Sequence, residues 1–135
     1  MALESRRRLK FSILTGHFAV CRLPAESVMP AWAELGSFVS VTRTPEELSI
    51  VCPYENVPKE ERPESTWTCL KLQGPFAFTE TGILGAFLEP LAMAGVGIFA
   101  ISTYDTDYVL IQQQNIERGL AALQDAGHEL VTGTG

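Results

Sequence analysis

The chain has 135 residues, 46% of them hydrophobic and 19% charged, enough to bury a core and too apolar for global disorder. With 10 Lys and Arg against 16 Asp and Glu the net charge is -6, which repels phosphate backbones and argues against nucleic acid as a partner. No stretch reaches the ~18–20 apolar residues of a membrane span and no secretory pattern opens the chain, so a cytoplasmic protein without a membrane partner is expected.

Arg6-Arg7-Arg8 with Lys10 reads as the solvated start of a first strand rather than a nucleic-acid arm. Phe11 and Ile13 alternate with polar neighbours, as do Phe18 and Val20 beyond Thr15-Gly16-His17. That pattern predicts one long strand with a bulge at Gly16, or two strands joined by a tight turn. Val28, Trp32 and Leu35 are spaced as the apolar stripe of a short helix stopped by Gly36. Phe38–Arg43 and Leu48–Cys52 follow as two strands. Tyr54–Ser65, with Pro58 and Pro63 among charged residues, reads as a connector, and it sets an expected boundary between residues 1–64 and 65–135.

The second half is patterned more clearly. Trp67–Leu72 is strand-like and is broken by Gln73-Gly74-Pro75. Ile83, Leu84, Phe87, Leu88 and Leu91 form one stripe of a helix from about Glu80 to Ala94, closed by Gly95 as a left-handed cap. Val96–Thr103 is almost continuously apolar and predicts a central strand, followed by a strand at Tyr108–Ile111. Ile116, Leu120 and Leu123 mark a last helix ending at Gly127, with His128–Val131 as an edge strand. Strand-helix-strand-strand-helix-strand is the split βαβ, or ferredoxin-like, α+β arrangement. The first half supplies the first four of these elements.

Several chemistries lack their residues. Gly95-Val96-Gly97-Ile98-Phe99-Ala100 spells a dinucleotide-binding string, but it closes a helix and enters a strand, the reverse of what holding a pyrophosphate requires. His17 and His128 have no second ligand at metal spacing, so no metal site is expected. Cys21, Cys52 and Cys69 form no CxxC pair and read as reduced, buried thiols. No nucleophile–base pair can be nominated, so neither a catalytic residue nor a cofactor is expected.

One constellation remains. In a split βαβ sheet the strands Trp67–Leu72 and Val96–Thr103 run the same way, so the loop Gln73–Gly82 and the turn Ser102–Asp107 should meet at one sheet edge. The helix start at Thr79-Glu80-Thr81-Gly82-Ile83 offers unpaired N–H groups to a carboxylate. Glu80, Asp105 and Asp107 place negative charge suited to an ammonium or guanidinium group. An anion end facing a cation end fits a zwitterion, such as a free amino acid. The same residues also fit a plainer role: Thr79 as helix cap, Glu80 as a first-turn acid, and Asp105 and Asp107 as turn formers.

At these residues the chain resembles a known family. Cys69-Leu70-Lys71-Leu72-Gln73-Gly74-Pro75, Phe78–Leu84 and Ile101–Leu110 resemble ACT-type ligand-binding domains, most of all small bacterial tandem-ACT proteins related to the CASTOR arginine sensors. Ser40–Val51 and Val57-Pro58 share the resemblance. It implies a βαββαβ fold, two ACT-type modules in tandem, and a small effector held between modules. By matching motif positions it also implies that Glu80, Gly82 and Ile83 hold the amino-acid end of a ligand. Thr103, Tyr104 and Asp107 would then line the side-chain end. The sensors carry four modules and this chain at most two, so a homodimer is expected to complete the site. The expectation is a non-enzymatic, amino acid-binding regulatory protein; the alternative is an interaction module that dimerises through open sheet edges without a small ligand.

Overall fold

The computed structural model describes residues 7–77, 79 and 81–132. Along the chain run β1 (Lys10–Ile13), β2 (Phe18–Leu23), β3 (Ser40–Arg43), β4 (Leu48–Pro53), β5 (Trp67–Leu72), α1 (Ile83–Met93), β6 (Phe99–Ser102), β7 (Asp107–Gln112), α2 (Ile116–Asp125) and β8 (Glu129–Leu130). They fall into two compact units, and the units do not follow one another. Residues 16–68 form one; among the described residues, 7–15 join those from 69 to 132 in the other. A boundary between 64 and 65 therefore misses the early segment, because β1 finds its hydrogen-bonding partners in β5 and β8.

In the unit containing α1 and α2 the strands lie in the order β8-β1-β5-β7-β6. This is a ferredoxin-like α+β sheet with one strand added. β1 pairs antiparallel with β5, Phe11 opposite Leu72, and parallel with β8, Phe11 opposite Leu130. It occupies the place beside β5 that the last strand of a split βαβ unit would otherwise take. β6, expected to be central, pairs only with β7 among the described residues and is an edge strand. The apolar run is misleading because its first residues close α1 rather than extend the sheet.

That closure is a Schellman motif: Val96 N–H donates to Leu91 O at 2.9 Å and Gly95 N–H to Ala92 O at 3.0 Å. Gly95 supplies the left-handed turn at φ 73°. α2 ends the same way, with His128 N–H on Leu123 O and Gly127 N–H on Gln124 O, both at 3.0 Å. The predicted stripe of α1 is real: Ile83, Phe87 and Leu91 are buried, and they pack with Phe11, Leu70, Leu72, Val109, Ile111 and Leu123 in one core. Each such side chain contributes about 1.5–3 kcal/mol when removed from water. Phe11 and Phe87 meet edge to face, their centroids 5.3 Å apart.

α1 contains Pro90, which has no N–H and leaves the carbonyl of Ala86 without its helical donor. His128 Nε2 donates to that carbonyl at 3.1 Å, while Nδ1 accepts from Leu9 N–H at 3.1 Å. The second bond fixes the tautomer, since Nδ1 must be bare to accept. One buried neutral ring thus fastens the approach to β1, the middle of α1 and the end of α2. Burial lowers its pKa below the ordinary histidine value, against a smaller upward effect of the Ala86 hydrogen bond.

Residues 16–68 form a different structure. The strand order is β3-β4-β2, all antiparallel, and Phe18 at the start of β2 pairs with Trp67. The two strands expected around Thr15-Gly16-His17 are therefore separate, with Gly16 at φ 85° between them. The helix expected over Val28–Leu35 is only a 3-10 turn at Ala31–Glu34. Val28 is 88% and Leu35 59% exposed, so only Trp32 and Ala33 of that turn reach the core. Pro30 fixes the turn's start, with its carbonyl accepting from Ala33 N–H at 3.1 Å. The connector folds into two further 3-10 turns, Tyr54–Asn56 and Lys59–Glu61. Arg62 fastens it, its Nε donating to Val57 O at 2.8 Å and its guanidinium lying 5.2 Å from the Tyr54 ring centroid. Of the two ACT-type modules expected in tandem, one is evident: residues 16–68 contain no α-helix among the described residues.

Candidate functional site

The loop after β5 and the turn after β6 do meet. Their contact is made by backbone and small side chains. Phe76 N–H donates to Asp105 O at 3.0 Å, and the buried Thr106 hydroxyl donates to Leu72 O at 2.9 Å. Gly74 makes this approach available, because a Cβ there would sit 2.9 Å from the Asp105 carbonyl oxygen. The turn is closed on itself by Thr103 N–H and its hydroxyl, both donating to Thr106 O, at 2.8 and 3.0 Å.

Between the two segments lies an open cleft of about 240 Å³. Phe76, Ala77 and Ile83 form one wall, and the turn from Ser102 to Asp107 forms the other. Of the residues expected here, Ile83, Thr103, Tyr104 and Asp107 line it. Tyr104 is 80% exposed, so its ring stands at the mouth. Asp107 opens β7 opposite Ser102, whose hydroxyl donates to its carboxylate. Gly82 is the N-cap of α1 with φ 77°, and no side-chain cap hydrogen bond forms there among the described residues. It does not line the cleft itself. Glu80 lies outside the described residues.

The cleft is small beside the roughly 300–1,000 Å³ of drug-sized sites. Its polar groups are distributed unevenly. The first N–H groups of α1 stand behind Ile83, with the positive end of the helix dipole. Asp105 and Asp107 supply negative charge from the turn. Tyr108, next along β7, is held above the ordinary phenol range by burial, then by Cys69 and Asp105, and keeps its proton. Sequence reasoning missed Gly74, Phe76, Ala77 and Thr106. The Gly74-Pro75 break was the available signal for the first, whereas the Thr106 contact depends on a partner 34 residues away.

Cys52 and Cys69 are buried and pushed up to about 11 and about 12, so both thiols stay protonated. Among the described residues no three His, Cys, Asp or Glu gather as a metal site, and no helix is long and apolar enough to cross a membrane.

Comparison with known proteins supplies the context. The ACT domain family model matches residues 62–125, and a separate model for an N-terminal domain matches residues 16–60. The bovine cytosolic arginine sensor for mTORC1 subunit 1 is 32% identical over 91 residues, 58% of this chain and 27% of that protein. Human CASTOR3P is 29% identical over 92 residues, again 58% of this chain, and 56% of that protein. The chain thus spans about a quarter of one relative and about half of the other. The crystal structure of protein Atu0741 from Agrobacterium tumefaciens superimposes with a TM-score of 0.85 at 43% identity, covering 96% of each chain. VC0802 from Vibrio cholerae, of unknown function, shares the fold with a TM-score of 0.70 at 20% identity over 90% of this chain and 88% of that one.

Proposed function

This chain belongs to a family of ACT-domain proteins that includes Atu0741 and is related to the CASTOR-type sensors, and from that premise we propose that it senses a small amino acid-like ligand. ACT domains and the sensor relatives are non-catalytic regulatory modules, and this protein is not an enzyme. The observation that carries the proposal is the convergence of the α1 start and the Ser102–Asp107 turn on one open cleft. The helix start, with Glu80, Gly82 and Ile83, receives the amino-acid end of the ligand. Thr103, Tyr104 and Asp107 receive its side chain, with Asp107 as partner of a cationic group.

The cleft is open on the side of Thr103, Tyr104 and Asp105, all exposed, and a second copy of the chain supplies the missing wall. Residues 16–68 serve as an abbreviated version of the same module; their support is the strand, turn, strand, strand order, with a 3-10 turn where the helix would be. A cytoplasmic location fits a sensor of free amino acids.

Thermal unfolding against the twenty amino acids is the direct test. A ligand at about 100 times its Kd adds about 2.7 kcal/mol of stability, a shift of several degrees for a protein of this size. Asp107→Ala should weaken a cationic ligand by about 1.5–3 kcal/mol in titration calorimetry. Equal affinity of variant and wild type removes Asp107 from the site. A second reading is favoured by one observation: β6 leaves one side of its backbone without a strand partner among the described residues. A dimer indifferent to every amino acid would support sheet-edge assembly instead.

A further inference from the structure

We propose that the cleft on the face of residues 16–68 is a separate binding site for a small organic cation, a primary amine carried on an aromatic or aliphatic body. The cleft holds about 300 Å³ and is lined by Cys21, Arg22, Leu23, Trp32, Glu61 and Pro63 together with Val20. Cys21, Leu23 and Trp32 pack against the core of this unit while remaining partly exposed, so they form an apolar floor. Trp32 is carried by the 3-10 turn at Ala31–Glu34 and lines the cleft beside Cys21 and Leu23, partly exposed. Such a surface favours the body of an apolar ligand and, at Trp32, a cation over the ring face.

The charges on the rim decide the sign of the ligand. Arg22 is engaged with the β3–β4 turn: its Nη2 donates to Glu46 O at 2.9 Å, and its Nε lies 3.7 Å from the Glu47 carboxylate. Both contacts hold its guanidinium toward the β3–β4 turn. The Glu61 carboxylate has no hydrogen bond or ion pair with any described residue, and its field reaches Cys21. Burial first, and then Glu61, hold the Cys21 thiol above its ordinary range, so the sulfur is a protonated, apolar wall. Binding here is reversible and involves no covalent step. An amine completes the set by facing Glu61 with its body on Leu23, Trp32 and Pro63. A carboxylate on the same body would face that unanswered negative charge.

The test is a titration of the full 15N-labelled chain with phenethylamine, followed by backbone and indole N–H shifts. Saturable shifts at the Trp32 indole, Cys21 and Leu23 are expected. Glu61→Gln, a change in an exposed turn that leaves the core intact, should weaken binding about three- to fivefold, the scale of an exposed ion pair. 3-Phenylpropionate, which carries a carboxylate on the same body, should bind more weakly by at least that factor. Four results would overturn the proposal: no shifts, an unaffected Glu61→Gln variant, equal binding of 3-phenylpropionate, or shifts confined to residues 102–107. The last would assign the amine to the other cleft and leave the sensing reading standing.

Discussion

The two units both rest on strands that pair mostly antiparallel, yet they cover those strands by different means. In the unit of residues 69 onward two α-helices bring Phe87, Leu91 and Leu123 onto the sheet with helical regularity. In residues 16–68 the cover is 3-10 turns and prolines over a core of Ala19, Ala33, Leu48, Ile50, Cys52 and Val57. Regular cover pushes the open cleft of the first unit out to the loops beyond its strand ends. The cleft of the second is lined by successive residues of β2 together with Trp32, Glu61 and Pro63. Where a fold of this size can hold a ligand thus depends on what its helices fail to cover.

The contrast can be sharpened by mutation, beginning with the largest effect. Phe87→Ala empties the centre of the helix-covered core and should cost about 3–5 kcal/mol in urea unfolding. A cost below 1 kcal/mol would mean that the helices do not bear on the sheet as tightly as the geometry shows. His128→Phe leaves Leu9 N–H and Ala86 C=O without partners and should cost about 1–3 kcal/mol.

The same residue makes a pH prediction. Its folded pKa lies below the ordinary 6.5, so the unfolded chain binds the proton more readily. Its stabilising contribution is complete above pH 6.5 and is lost as pH falls from there toward the folded value. Protonation would set an N–H at Nδ1 against the N–H of Leu9. Stability measured from pH 7 down to 5 should therefore decline more steeply in the wild type than in His128→Phe; parallel curves would remove the ring from the account.

Smaller effects separate the loops of the two units. Gly74→Ala drives a Cβ against the Asp105 carbonyl and should cost about 1–2 kcal/mol, while also weakening any ligand bound beside Ser102–Asp107. In the other unit Thr44 Oγ1 accepts from Glu46 N–H and Glu47 N–H, both at 3.1 Å, closing the β3–β4 turn. Thr44→Ala should cost about 0.5–1 kcal/mol by thermal unfolding, with no effect on ligand binding at the Ser102–Asp107 turn.

The helical elements were legible because their signals are local. The stripe Ile83, Phe87, Leu91 and the stops at Gly95 and Gly127 announce α1 and α2 within a dozen residues. Strand direction likewise accounts for Ile83, at the α1 start, lining one cleft with the Ser102–Asp107 turn. Features fixed by distant partners were not legible. Nothing in Lys10–Ile13 says that it will lie between β5 and β8, since any alternating strand satisfies the same pattern. The apolar run from Val96 reads as a central strand because burial under a helix end and burial in a sheet look alike in sequence. Trp32 is spaced for a helix that Pro30 and exposed Val28 and Leu35 never support.

The position of β1 also sets an order of events. Phe11 must find Leu72 and then Leu130, and Leu9 must find His128, so the sheet of that unit closes loops spanning most of the chain. Within residues 16–68 the pairings of β2, β3 and β4 join strands that adjoin along the chain. As the polypeptide leaves the ribosome, this inner segment can settle while the strand made before it waits unpaired. Loop-closure entropy makes the outer unit the slower of the two to form. Its last fastening, the imidazole of His128, becomes available only after everything it joins has already been synthesised.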